Sequence, residues 1–301
     1  MPRRTDINTI LIIGSGPVVI GQGTEYDYSA AQAGRALREE GCRVVVVNSN
    51  PATISTEPDV ADRIYIEPLT LDSLTKIIEK ERPDAILATF GGETALHLAT
   101  LLDREGVGVN VIGASVASIE RAEDRSLLRQ TLEGIGVDVL TGEVVTSIED
   151  GIRAVREVGF PAALRPAYTT GGAGSAISYN IEEFVQMLAF ALKMSPTGQV
   201  LVEQSAVGWK ELELVLLRDS SGGATVVTSI ENIDPVGVHS GDSTAVVPAQ
   251  TISGDQLSAL EETSKSVINA LGIVGAATIR YAIDRSGRAV VLGVTPCIGS
   301  A

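Results

Sequence analysis

The sequence is poor in the residues that build metal centres and disulfide frameworks. Its 301 residues include two cysteines, Cys42 and Cys297, and two histidines, His97 and His239. Two distant cysteines make no disulfide framework and suit a reducing compartment, so the expected location is the cytoplasm. Four such residues this scattered do not spell a Cys/His zinc site. Aromatics are scarce at 4%, so the cores must be aliphatic. Basic side chains are outnumbered 23 to 38, for a formal net charge of -15. That balance excludes the basic surface a nucleic acid requires. Its ordinary meaning is solubility, and a small anion is still allowed, because backbone N–H groups and a few arginines suffice to hold one. Long apolar runs are also missing. None reaches the ~18 residues of a membrane span. Arg3 and Arg4 ahead of Ile10–Ile13 imitate a secretory signal, but Gly14-Ser15-Gly16-Pro17 ends the run, well short of the ~7–15 apolar residues such a signal needs.

What is present alternates between strand and helix signals. Thr9–Ile13, Val44–Val47, Ala85–Ala88 and Val109–Ile112 are short aliphatic runs, as buried parallel strands are. Between them lie helical stretches at Ser29–Glu40, closed by Gly41, at Leu71–Glu81, stopped before Pro83, and at Thr94–Glu105. Strand–helix repetition of this kind predicts a doubly wound parallel sheet, with ligands favoured at the carboxyl ends of the strands. A boundary falls near Gly113-Ala114-Ser115. A charged helix is expected over Val116–Glu133, and then the texture changes. Ser220-Ser221-Gly222-Gly223 joins Leu212–Arg218 to Thr225–Ile230, and Arg285-Ser286-Gly287 joins Thr278–Ile283 to Ala289–Leu292. Both read as hairpins, with a helix at Ser258–Leu271 between them. The second part is therefore α+β.

Four constellations carry possible chemistry. Gly14-Ser15-Gly16-Pro17-Val18-Val19 begins like a dinucleotide fingerprint, but Val19 stands where the third glycine belongs. Pro17 also lacks an N–H to offer a phosphate, so a tight turn after a strand is the competing reading. Arg165-Pro166-Ala167-Tyr168-Thr169-Thr170-Gly171-Gly172 is a Gly-rich loop whose backbone can approach phosphates, with an arginine able to meet their oxygens. A surface turn is its alternative. Glu211 and Glu213 share one face of a strand; they are either a pair for a ribose hydroxyl or a cation, or two solvated carboxylates. Gly237-Val238-His239-Ser240-Gly241-Asp242-Ser243 is a polar loop carrying one histidine, which serves either acid–base chemistry or a loop hydrogen bond.

Taken in order, the segments resemble the first half of the carbamoyl phosphate synthetase large subunit, in the ATP-grasp superfamily. The likeness runs through Gly16–Gln22, Glu25-Tyr26-Asp27-Tyr28, Val47–Thr53, Tyr65-Ile66-Glu67-Pro68, Gly91–Leu96, Ala122–Arg125, the Arg165 loop, Gly208-Trp209-Lys210-Glu211 and His239–Ser243. The resemblance implies an α/β chain: a pre-ATP-grasp doubly wound parallel sheet domain over residues 1–115, then an α+β ATP-grasp domain over 116–301, incomplete at its C-terminal end. It implies ATP as cofactor, with Arg125 and Arg165 on the phosphates and Gly171 and Gly172 in the loop closing over them. Val202–Ala206, including Glu203, becomes the adenine hinge. Glu211 becomes the ribose ligand, and Gly237, Val238 and His239 complete the pocket. In this family such a half phosphorylates bicarbonate, and ammonia then attacks the product.

The sequence departs from the family near its end. The family carries Asn-x-Gln on one strand and Glu-x-Asn-Pro-Arg on the next, for magnesium and the reacting oxyanion. Here Thr278-Ile279-Arg280 and Gly293-Val294-Thr295-Pro296-Cys297 occupy those places. Arg280, Gly293, Thr295 and Cys297 thus replace Gln, Glu, Asn and Arg. Glycine offers a metal no side chain, and Arg280 brings a fixed positive charge. Glu93 and His97 also replace a family Gln and Asn, and Gln204 stands where a hinge carboxylate is common. The expectation is an ATP-binding protein without the family's magnesium ligands and with impaired bicarbonate phosphorylation, a pseudoenzyme on its own. The alternatives are an active ligase for bicarbonate or another small carboxylate, completed by a partner subunit or a second copy, and a non-enzymatic scaffold.

Overall fold

Valine and isoleucine runs that are apolar on every side chain belong where both faces of a strand are covered. The computed structural model, which describes residues 4–18, 25–167, 173–238 and 242–297, puts them there. The described residues form two compact units, one reaching Ile119 and including Cys297, the other running from Glu120 to Pro296.

The first unit contains β1 (Thr9–Ile13), α1 (Glu25–Glu39), β2 (Arg43–Asn48), β3 (Arg63–Ile66), α2 (Leu71–Glu81), β4 (Ala85–Leu87), α3 (Gly92–Arg104) and β5 (Asn110–Ile112). Its sheet has the order β3-β2-β1-β4-β5, and every pairing is parallel. Leu11, Ile12 and Ile13 of β1 and Val44 to Val47 of β2 are fully buried. Strand β3 escapes a sequence reading because it is an edge strand with half-exposed residues. Helix α1 starts before the expected Ser29, since Tyr26 and Asp27 already lie on its buried face.

The glycines after β1 have a structural use. A Cβ on Gly14 would meet the Asn48 amide at 2.6 Å. Asn48 is completely buried and fully used. Its oxygen accepts from Gly16 N–H and Asn50 N–H, each at 3.1 Å, and its nitrogen donates to Asp27 at 3.3 Å and Ser55 at 3.1 Å. Asp27 in turn accepts from the Ser15 hydroxyl at 3.1 Å. This polar knot ties the β1 and β2 ends together. Removing one partner leaves the rest buried and unsatisfied. Asn48→Ala is therefore expected to cost about 3 kcal/mol in urea unfolding. A loss under about 1 kcal/mol would mean that water replaces the amide.

From α4 (Val116–Glu123) the chain passes to α5 (Arg125–Gly134), β6 (Gly142–Val145), α6 (Ile148–Val158), β7 (Ala162–Pro166), β8 (Ala176–Ser178), α7 (Ile181–Met194) and β9 (Val200–Gln204). The single helix expected over 116–133 is two helices. Asp124 between them is extended, and its carboxylate accepts from Ser126 N–H at 2.9 Å and Leu127 N–H at 3.0 Å. It is an N-cap. Strands β6-β9-β7-β8 form an antiparallel sheet. Helices α6 and α7 bury Val155, Phe184 and Leu188 against it.

The last sheet holds β10 (Lys210–Arg218), β11 (Ala224–Asn232), β12 (Ala245–Val246), β13 (Gly275–Ile283) and β14 (Ala289–Thr295), in the order β12-β11-β10-β13-β14. Helix α8 (Gly254–Leu271) packs on the face made by Leu212, Leu214, Leu216, Ile279 and Tyr281, all buried. The Tyr281 hydroxyl shares a 2.7 Å hydrogen bond with Ser264 of this helix. The opposite face carries the charges.

Candidate functional site

Strand parity makes that face. On β10, Glu211 and Glu213 point one way while Leu212 and Leu214 point to α8. In the antiparallel register, Glu213 is opposite Arg280 of β13, and Arg280 is opposite Gly293 of β14. Directly opposed residues share a face. A single row across three strands therefore reads Glu213, Arg280, Gly293. The next row places Glu211 opposite Ala282 on one side and Asn232 of β11 on the other. Thr278 lies opposite Thr295 further along the same face.

Glu211 and Glu213 are not solvated. They are 4% and 1% exposed. Burial pushes the Glu213 carboxyl up to about 7, against the pull of Arg280 and with the help of the Glu211 charge. Its Oε1 is buried with no hydrogen-bond partner among the described residues, and neither the amide oxygen nor the amide nitrogen of Asn232 has one. Unpaired buried polar atoms are rare in folded proteins and ask for a missing partner. Asn232 is a residue the sequence reading did not pick out.

Three arginines converge on this face. Arg125 opens α5, with its Nε buried and unpartnered among the described residues. Its Nη1 and the Arg280 Nη2 each lie 3.8 Å from where a Cβ on Gly293 would stand. Arg165 of β7 has its Nε 2.6 Å from Glu203 Oε1 of β9; this is an ion pair out of hydrogen-bond alignment. Burial lowers the Arg165 guanidinium from its ordinary value; Glu203 opposes that, while Arg125 and Arg280 add to it. Arg125, Arg165, Arg280, Glu203, Glu211 and Glu213 thus form one electrostatic cluster. The Glu203 carboxylate is committed to Arg165, which leaves the expected hinge to offer its backbone.

That backbone is mostly engaged. Gln204 N–H donates to Thr141 at 2.8 Å, Ser205 N–H to Pro161 at 3.2 Å, Val207 N–H to the Ser205 hydroxyl at 3.2 Å and Gly208 N–H to Val236 at 2.9 Å. The Ala206 N–H donates to no described residue. Gly237 and Val238 are brought beside this turn: a Cβ on Gly237, which has φ +114°, would meet Val207 at 3.3 Å. Gly171, Gly172 and His239 lie outside the described residues. Cys297 belongs to the first unit and is buried beside Tyr26, whose hydroxyl is pushed up by burial, then by Cys297 and Glu93. Glu93 and His97 lie on α3 in that same unit. An open cleft of about 820 Å³ lies beside Trp209, Lys210, Glu231, Asn232 and Thr251, and it is lined by none of the three arginines.

Comparison with known proteins gives the family. Residues 6–121 match the carbamoyl phosphate synthase preATP-grasp domain, and residues 124–299 match the carbamoyl-phosphate synthase L chain, ATP binding domain. The chain is 50% identical to the carbamoyl phosphate synthase large chain, N-terminal section, of Aquifex aeolicus, over 98% of this chain and 54% of that one. It is 47% identical to the carbamoyl phosphate synthase large chain of Thermus thermophilus, over 98% of this chain and 29% of that one. It therefore spans about half the first relative and under a third of the second. Among solved structures, the biotin carboxylase of Campylobacter jejuni, in a complex with a nucleotide, superposes with a TM-score of 0.75 at 20% identity, covering 97% of this chain and 66% of that one. A biotin carboxylase domain from Hydrogenobacter thermophilus, complexed with MgADP, ADP and bicarbonate, gives 0.75 at 19% identity, covering 98% and 65%. At these identities the two structures share the fold.

Proposed function

Since this chain belongs to the carbamoyl phosphate synthase large-chain family, we propose that its second unit binds ATP and that, alone, it phosphorylates bicarbonate poorly. The observation that carries this reading is the row Glu213, Arg280, Gly293, flanked by Arg125. Guanidinium groups gathered on a buried sheet face suit a chain of phosphates. The Ala206 N–H is the donor that the hinge leaves for an adenine ring nitrogen. Glu211, on the same face as that row, is our candidate to receive a ribose hydroxyl. Gly171 and Gly172 supply the loop over the phosphates, and Gly237, Val238 and His239 the remaining wall.

Phosphoryl transfer relies on positioning and on neutralising charge rather than on covalent chemistry. Magnesium ordinarily supplies much of that neutralisation and demands several hard oxygens. The row offers one carboxyl, Glu213, beside Arg280 and the flanking Arg125. The residues present do not fit the ion. Transfer from ATP to bicarbonate then relies on the arginines alone for charge that magnesium ordinarily shares, and each 1.4 kcal/mol lost costs about tenfold in rate.

Calorimetry on the full chain tests the binding half of this reading. ADP and a non-hydrolysable ATP analogue are expected to bind with a Kd of order micromolar. Bicarbonate-dependent ADP release by the chain alone is expected to stay at background. Turnover at an ordinary enzymatic rate, of order 1–10 per second, would overturn the impaired half. A second reading has one observation behind it, the partial span of the relatives. In it a partner subunit or a second copy completes an active ligase, and turnover appears only when that chain is added.

A further inference from the structure

The glycine at position 293 is not explained by backbone geometry or by crowding. Its φ lies outside the left-handed range, and an added Cβ would meet only the tips of Arg125 and Arg280, at the ordinary contact distance of 3.8 Å. What the absent side chain leaves is a gap bounded by two guanidinium groups. Neither group has a carboxylate within 4.0 Å among the described residues. Asp124, the acidic neighbour of Arg125, spends its carboxylate on the cap of α5. Glu203 is spent on Arg165. Glu213, opposite Arg280 in the same row, is buried and makes no hydrogen bond through its Oε1 among the described residues. Two cations held together without a carboxylate in direct contact are costly unless something anionic joins them. Among the described residues no three His, Cys, Asp or Glu side chains gather in a way that could hold a metal.

We infer that the gap over Gly293 is an oxyanion subsite, in which the terminal phosphate of a nucleotide or of an inorganic polyphosphate lies between Arg125 and Arg280 with no divalent cation. The two guanidiniums neutralise the charge that a bound cation would otherwise offset. A guanidinium presents parallel N–H donors matched to phosphate oxygens, so two of them grip one phosphate from two sides. A metal-complexed polyphosphate carries its cation on the same oxygens, and that cation would face Arg125 and Arg280. Magnesium therefore competes with the site instead of assisting it. The proposal rests on the ATP reading only for the adenosine part of the ligand. The phosphate part stands by itself.

The test is calorimetry on the full chain with inorganic tripolyphosphate and with ADP, each in EDTA and in excess magnesium. Tripolyphosphate is expected to bind in EDTA and to weaken when magnesium is added. Arg280→Gln should weaken tripolyphosphate binding about tenfold or more. Gly293→Glu should weaken it at least as much, because a carboxylate then fills the gap and pairs with both arginines. Urea unfolding of each variant, read beside the calorimetry, separates lost binding from lost folding. Binding that requires magnesium would overturn the inference, as would binding unchanged in Arg280→Gln or Gly293→Glu. ADP binding without tripolyphosphate binding would overturn it and leave the nucleotide reading intact. Tripolyphosphate binding without any preference for ADP would do the reverse. If neither ligand bound, both would fall.

Discussion

Arg165→Met is expected to destabilise the protein by about 3–5 kcal/mol and to abolish nucleotide binding. Glu203, its partner at 2.6 Å, is 6% exposed and on an inner strand of its sheet. Without Arg165 the Glu203 carboxylate is left buried without its counter-ion, which is the costly way to break a buried pair. Replacing both members with apolar side chains of similar size is close to neutral. Arg165→Met combined with Glu203→Leu should therefore recover most of the lost stability. It should not recover nucleotide binding, because the guanidinium proposed to meet the phosphates is still missing. Urea unfolding read beside calorimetry separates the two roles. Binding regained in the double variant would show that Arg165 acts only by supporting the fold. Stability not regained would show that the pair is held by more than its own charge.

Much of this geometry was legible from the sequence, and the part that was not has specific causes. The parallel sheet follows from Ile10–Ile13 and Val44–Val47, because only a doubly covered strand is apolar at every position. Strands β6 and β8 were missed because, unlike the similarly short β4, they lie in no aliphatic run: Gly and Glu open β6, and Ser closes β8. The shared face of Glu211 and Glu213 follows from strand parity alone. Asn232 does not. Counting straight back from the Ser220–Gly223 turn sets Glu231 opposite Glu211. A bulge between Val215 and Leu216 shifts the register, so that Asn232 stands there instead. Bulges reverse which side chains face inward beyond them, and nothing local announces this one. The Arg165–Glu203 pair was equally hidden, since it depends on how β7 and β9 align. Arg280 and Gly293, at positions where the resemblance implies Gln and Glu, were visible residue by residue. That Arg125 reaches the same gap required the fold of α5.

Glu213→Gln is expected to raise stability by about 3 kcal/mol at pH 8 and to change it little near pH 4.5. In the unfolded chain this carboxyl titrates near its ordinary 4.5, and in the folded chain near 7. Below 4.5 both states are protonated, and the stability associated with the proton is fully present. As pH rises from 4.5, the unfolded chain ionises first and is favoured. Stability therefore falls with pH until the folded carboxyl also ionises, near 7, and then levels off. This direction is opposite to that of Glu81, whose hydrogen bonds from Tyr65 and then Arg43 hold it below the ordinary range and whose contribution is lost on acidification. Glutamine mimics the protonated acid and never ionises. The difference between variant and wild type cancels Glu81 and every other carboxylate, and isolates the rise between pH 4.5 and 7. The groups that face Glu213 are Glu211, which disfavours its charge, and Arg280, which favours it. Arg280→Gln should therefore move the window to higher pH. Urea unfolding of the three proteins at half-unit intervals reads both effects. A difference flat across pH would mean that Glu213 is ionised in the folded protein throughout, with Arg280 as its true counter-ion. The gap over Gly293 would then hold one free guanidinium, not two.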